Sequence, residues 1–177
     1  MKEAEDNLAN TNTEAYDRPL RVFPYGDATK AKAVYPQLED AKKRTTTVIQ
    51  RHTMIDKHGN EKPGSEHWID DNWLVYGQAQ FFRHDYFDAM ETFKYIESTY
   101  RNENCRLLAS MWIAKTYLEL TQLNEAEAKL DFVRNQNDFP KKNKWELEAV
   151  TADFYLQVKN FDKAAEHLQK AANLVPD

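Results

Sequence analysis

One cysteine, Cys105, is present, so the chain forms no internal disulfide. A single thiol decides nothing about compartment. Glycine and proline are scarce, four and six residues in 177, and together with long amphipathic stretches this favours an all-helical fold. Positive charge is in deficit: 24 Lys and Arg against 29 Asp and Glu give a net charge of −5. That balance argues against nucleic-acid binding, which needs a basic face. No run of about 18 apolar residues occurs, so no transmembrane helix is expected. The opening Met1-Lys2-Glu3-Ala4-Glu5-Asp6 has no apolar core of a signal peptide. Two origins stay open: a cytosolic chain, or a piece of a longer exported one, for which the ending Val175-Pro176-Asp177 also speaks. No phosphate loop, nucleophile elbow, zincin motif or cysteine pair is found.

What is present is a phased pattern. Gly77 and Ala89, Ala114 and Ala126, and Ala152 and Ala164 are small residues twelve apart, and successive pairs start 37 and 38 residues on. Three before each second member stands Tyr86, Leu123 or Phe161, and four after it Phe93, Leu130 or Leu168. This period and phase describe antiparallel helix pairs stacked on one another. Helices in a hairpin approach to about 8–10 Å at their crossing, according to the side chains there. The small residues are expected to sit at those crossings. Chain length suffices for one domain that buries roughly 70% of its unfolded surface.

Residues 1–26 are expected to form an arm, because Pro19, Pro24 and Gly26 forbid a long helix. Leu20, Val22, Phe23 and Tyr25 suggest an extended segment docked on the first helices; a mobile arm is the other reading. Residues 27–55 are expected to hold leading helices of a degenerate repeat. Asp27 suits an N-cap of a short helix ending near Tyr35, and Pro36 suits the first turn of the next. Leu38, Ala41, Thr45, Val48, Ile49 and His52 share one stripe, with Ala41 in the small-residue slot and His52 read as a packed core histidine. Residues 56–66 read as a polar loop, a flexible insertion in preference to a contact loop. Residues 67–177 then carry three hairpins. Asp85, Asn104 and Asn124 are the expected caps of the second, third and fourth helices, Glu127 completing a capping box with Asn124. Pro140 ends the second pair, and Pro176 follows the last helix.

These residues resemble the tetratricopeptide repeat. The likeness rests on Trp73, Tyr76-Gly77, Tyr86, Ala89 and Phe93; on Ile113-Ala114, Tyr117, Leu123, Ala126 and Leu130; and on Ala152, Tyr155, Phe161, Ala164, Leu168, Ala171 and Pro176. It covers residues 68–177 and implies a right-handed superhelix of stacked hairpins. Departures are the missing proline at Tyr100-Arg101 and connections longer than the family's. A narrower likeness lies in Val34-Tyr35-Pro36-Gln37-Leu38-Glu39-Asp40-Ala41, Val48-Ile49-Gln50-Arg51-His52, and Trp68-Ile69-Asp70-Asp71-Asn72-Trp73 with Asp85-Tyr86-Phe87-Asp88-Ala89. With the Pro-Leu-x-Val-Phe segment before them, these resemble the PorW/SprE periplasmic lipoproteins of the Bacteroidota type IX secretion and gliding machinery. The resemblance implies a periplasmic, outer-membrane-associated adaptor linking periplasmic components to the translocon. The lipid-bearing cysteine of that group has no counterpart, Cys105 being too internal, so an anchor would belong to the full-length protein.

Little chemistry is expected. Asp70 and Asp71 are adjacent on a helix and point apart, which suits a helix start better than a shared catalytic site. His58 and His67, with Asp56, Glu61 and Glu66, match no zinc spacing, and a solvated loop is the favoured reading. Trp68, Trp73, Trp112 and Trp145 read as core or hairpin contacts. No catalytic residue, cofactor or metal ligand is assigned. Carried over from the repeat family, the binding face is the concave side made by the first helix of each pair: Asp71, Leu74, Gln78 and Phe81; Met111, Lys115 and Leu118; Ala149, Asp153 and Leu156. Such a mixed surface suits a peptide or helix of a protein partner. The alternative is that Leu118 and Leu156 are inter-repeat core and the face is empty. The expected function is a non-enzymatic scaffold of the secretion machinery. A generic repeat adaptor in another envelope or cytosolic assembly comes next, and a metal-binding sensor or enzyme third.

Overall fold

The structure, a computed structural model, describes residues 6–7, 21–23, 28–60, 68–101 and 104–175, the side chains of Ala28 and Lys30 excepted. The expectations for Leu20, Tyr25, Asp27, Glu61, Glu66, His67 and Pro176 fall outside them. The described residues form helices and no sheet: a helical turn at Ala28–Ala31 and a 3-10 turn at Lys32–Val34 lead into α1 (Tyr35–His52), α2 (Ile69–Phe82), α3 (Tyr86–Thr99), α4 (Asn104–Glu119), α5 (Leu123–Arg134), α6 (Lys144–Gln157) and α7 (Phe161–Leu174). Consecutive helices pack on one another, and α2 and α6 each also pack on α4. The fold is therefore a stack of helix hairpins, α2–α3, α4–α5 and α6–α7, with α1 leading. None of the described helices is long and apolar enough to cross a membrane.

The small-residue pattern is what lets the pairs close. Gly77, Ala89, Ala114, Ala126, Ala152 and Ala164 are all buried. A Cβ on Gly77 would lie 2.6 Å from the Phe93 ring, so α2 and α3 approach there as closely as glycine allows. Away from the crossing, Trp112 packs against Phe81, Phe82 and Phe93 with ring centroids 5.2–5.8 Å apart. That aromatic cluster joins the first hairpin to the second.

A second repeating feature is carried by the turns. Each hairpin ends its first helix with one residue at positive φ, none of them glycine: His84 (64°), Thr121 (56°) and Lys159 (60°). Around them the same two bonds recur. His84, Thr121 and Lys159 N–H donate to Phe81, Leu118 and Leu156, and Asp85, Gln122 and Asn160 N–H donate to Gln80, Tyr117 and Tyr155. This is the Schellman arrangement, which satisfies carbonyls that a helix end otherwise leaves unpaired. A β-branched residue is the least suited to it, since the left-handed region costs an L-residue about 1–2 kcal/mol. Thr121→Gly is therefore expected to stabilise the chain by about 1 kcal/mol, raising the melting temperature by about 2–4 °C. An unchanged or lowered melting temperature would contradict the turn geometry.

Two expected caps are corrected. Asp85 precedes α3, but its carboxylate makes no cap bond and pairs with Arg83 at 2.9 Å. Helix α5 begins at Leu123 after Gln122, which puts Asn124 inside the helix and exposed, with no capping box. Among the described helix starts, a side-chain cap lies at Asn160, which accepts from Lys163 N–H at 3.2 Å. Asn160→Ala is expected to cost about 1 kcal/mol and Asn124→Ala a few tenths at most, read by urea denaturation. The reverse order would restore the capping-box reading.

Burial corrects other expectations. In α1, Leu38, Thr45 and Ile49 are buried and Ala41 and Val48 are half-buried, but His52 is exposed, its ring 4.8 Å from Trp68. Trp68 is itself exposed rather than core. Helix α1 is tied to the first hairpin by Tyr35, whose hydroxyl donates to the Arg83 carbonyl, and by the Arg83–Glu39 ion pair. On α7, Phe161 (53% exposed) and Leu168 (40%) face outward, whereas Phe93 and Leu130 are buried. The earlier hairpins are covered by α4 on α3 and by α6 on α5; no described helix follows α7 to do the same.

Candidate functional site

The face expected to bind is mostly occupied. Phe81, Met111 and Leu118 are buried in the core, with Leu74 and Ala149 close behind, and Leu156 is half-buried. Leu118 thus follows the inter-repeat-core alternative. Asp71 remains exposed and Gln78 half-buried. Partial desolvation of its carboxyl, and then the neighbouring Asp70, push Asp71 above its ordinary pKa, with Lys142 opposing.

Lys115 and Asp153, the two charged members of the central part, are 3% and 2% exposed. The chain's own residues 21–23 lie against both. One guanidinium nitrogen of Arg21 reaches Glu119 Oε1 at 2.6 Å and Asp153 Oδ2 at 2.9 Å, bridging α4 and α6. Val22 N–H donates to Asp153 Oδ1 at 3.3 Å. The ring of Phe23 receives the Lys115 ammonium 4.2 Å from its centroid, and the Trp112 ring lies 3.8 Å from the same nitrogen. Lys115 is held between two π faces while it pairs with Glu146 at 3.0 Å. Arg21–Phe23 lie against α4 and α6, which corrects the expected seat of an extended segment on the first helices.

The periphery is satisfied in the same way. Gln157 donates to Asp153, and the Tyr86 hydroxyl donates to Glu119 at 3.3 Å and meets His84 Nδ1 at 3.0 Å. Burial first, and then Glu119, hold the Tyr86 phenol above its ordinary pKa. Burial works against the Arg21 charge, but Asp153 and then Glu119 outweigh it and hold the guanidinium above its ordinary value. Arg21 thus stays a cation over any working pH range.

No family model matches this chain, and no curated protein matches it in sequence.

Sequence reasoning passed over Arg21, Glu119 and Glu146, yet signals for the last two exist. Trp112, Lys115 and Glu119 form an i, i+3, i+7 stripe on α4, and Glu146, Asp153 and Gln157 form an i, i+7, i+11 stripe on α6. Charged residues repeating within an otherwise apolar inner stripe mark a buried polar seam. Elsewhere, Asp56 accepts from His58 and Asn60 N–H, and these backbone bonds, Asn60's first, hold its carboxyl below the ordinary value. Among the described residues no group of three or more His, Cys, Asp or Glu is placed to hold a metal ion. A hollow of about 450 Å³ between α5, α6 and α7 is lined by Arg134, Phe139, Lys144, Glu148 and Leu174 among others, and includes none of the inner-face residues.

Proposed function

We propose that this chain is a non-enzymatic protein–protein interaction scaffold, a tetratricopeptide-like adaptor of the type IX secretion and gliding machinery. In this reading it works in the periplasm, associated with the outer membrane through a lipid anchor of the full-length protein, and links periplasmic subunits to the translocon. The scaffold part rests on one observation above the rest: a non-helical segment, Arg21–Phe23, is seated on the inner face of a hairpin stack. A surface that holds one non-helical segment through side-chain and backbone bonds has the chemistry to hold another. Placement in the secretion machinery rests on the sequence likeness over residues 18–100.

Affinity capture from Bacteroidota envelope extracts tests the assignment. The tagged chain is expected to retain secretion-machinery subunits from the membrane fraction. Recovery of cytosolic proteins alone would contradict it and favour a generic repeat adaptor.

A further inference from the structure

We propose that the inner face of α4 and α6 recognises a non-helical partner segment of the form Arg–x–aromatic, and that Arg21–Val22–Phe23 fills this face until such a partner arrives. The inference rests on the scaffold reading and adds the chemistry of the ligand. Three features of the face select that chemistry. Glu119 and Asp153, from different helices, converge on one guanidinium nitrogen, so the face takes a cationic nitrogen at that point. Asp153 Oδ1 takes a main-chain N–H, so it reads backbone and makes no demand on the middle side chain. Trp112 and the Lys115 ammonium form a shelf on which an aromatic ring lies.

Charge requires a cationic occupant. With Arg21 removed, the named groups of the face are Glu119, Glu146 and Asp153 against Lys115, an excess of two negative charges on poorly hydrated side chains. Exchange is open to a competitor because the Arg21 side chain is 41% exposed and residues 21–23 belong to no helix or strand. A partner segment of the same pattern would replace each contact like for like.

The test is fluorescence anisotropy with a labelled synthetic peptide, Pro-Leu-Arg-Val-Phe-Pro, titrated onto the full chain. In wild type the tethered arm competes. Arg21→Glu sets a carboxylate against Glu119 and Asp153 and ejects the arm, so its affinity for the peptide is expected to exceed the wild-type value at least about tenfold. Adding Asp153→Asn to that variant should abolish the gain, and a peptide with uncharged glutamine for arginine should lose it as well. Equal affinity for wild type and Arg21→Glu, or binding to neither, overturns the proposal. If Arg21→Glu does not melt cooperatively, Phe23→Ala takes its place under the same criterion. A wild-type dimer that the peptide splits into monomers would assign the face to a second copy's arm and also overturn it. Failure here leaves envelope capture untouched, because the scaffold can dock through other surfaces; failed capture with peptide binding intact removes only the machinery assignment.

Discussion

Lys115→Glu is expected to cost about 3–5 kcal/mol, the largest single-residue effect in the inner face. The wild-type ammonium is buried, paired with Glu146 at 3.0 Å and enclosed by the Trp112 and Phe23 rings. Glutamate would place a second carboxylate against Glu146 and present negative charge to the π faces that now hold a cation. The double variant Lys115→Glu, Glu146→Lys restores opposite charges but not the ammonium between rings, so it should recover part of the loss. Urea denaturation of the three chains measures this. A Lys115→Glu chain within about 0.5 kcal/mol of wild type, as for a plain surface position, would show that the side chain is solvated. A corollary concerns docking experiments: charge reversal at Lys115 reports on folding before it reports on any partner.

Gly77→Ala is expected to destabilise by about 1–3 kcal/mol through overpacking. This runs against intrinsic preference, since alanine is favoured over glycine in a helix by about 1 kcal/mol. The added methyl would meet Phe93 Cε1 at 2.6 Å, and Phe93, with 0% exposure, is enclosed by Trp112 and cannot swing aside. Phe93→Leu in the Gly77→Ala background should make the pair less damaging than the sum of the two single changes, by about 0.5–3 kcal/mol of coupling. Ala126→Leu, at the equivalent crossing of the second hairpin, should also destabilise by about 1–3 kcal/mol. A thermal melt of Gly77→Ala at or above the wild-type temperature would mean that α2 and α3 do not touch there.

The hairpin stack was legible because its cause is local and periodic. Close helix crossings require small residues, and Gly77, Ala114 and Ala152 with their partners recur at one phase. Pro36 likewise marks the first turn of α1. The turns were not legible, because His84, Thr121 and Lys159 hold a conformation usually signalled by glycine. Asn124 misled for a related reason: the Schellman turn before it puts the cap position of α5 at Gln122, two residues earlier. Periodicity also set Phe161 and Leu168 on an apolar stripe, but a stripe does not say whether another element covers it. The inner face was half legible. Lys115 and Asp153 were picked out by position, whereas their occupant lies 98 and 132 residues from Glu119 and Asp153 along the chain. No local spacing encodes a contact of that range; only the charge balance of the buried stripes hinted that a cation was needed.

The central claim is that a stack of hairpins holds a non-helical segment of its own chain on its inner face. Proton–proton Overhauser contacts between the Phe23 ring and the Lys115 side chain test it most directly. With the ammonium 4.2 Å from the ring centroid, cross-peaks from Phe23 to the Lys115 methylenes next to nitrogen are expected in the 177-residue chain. Their absence, with random-coil shifts for Arg21, Val22 and Phe23, would contradict the account.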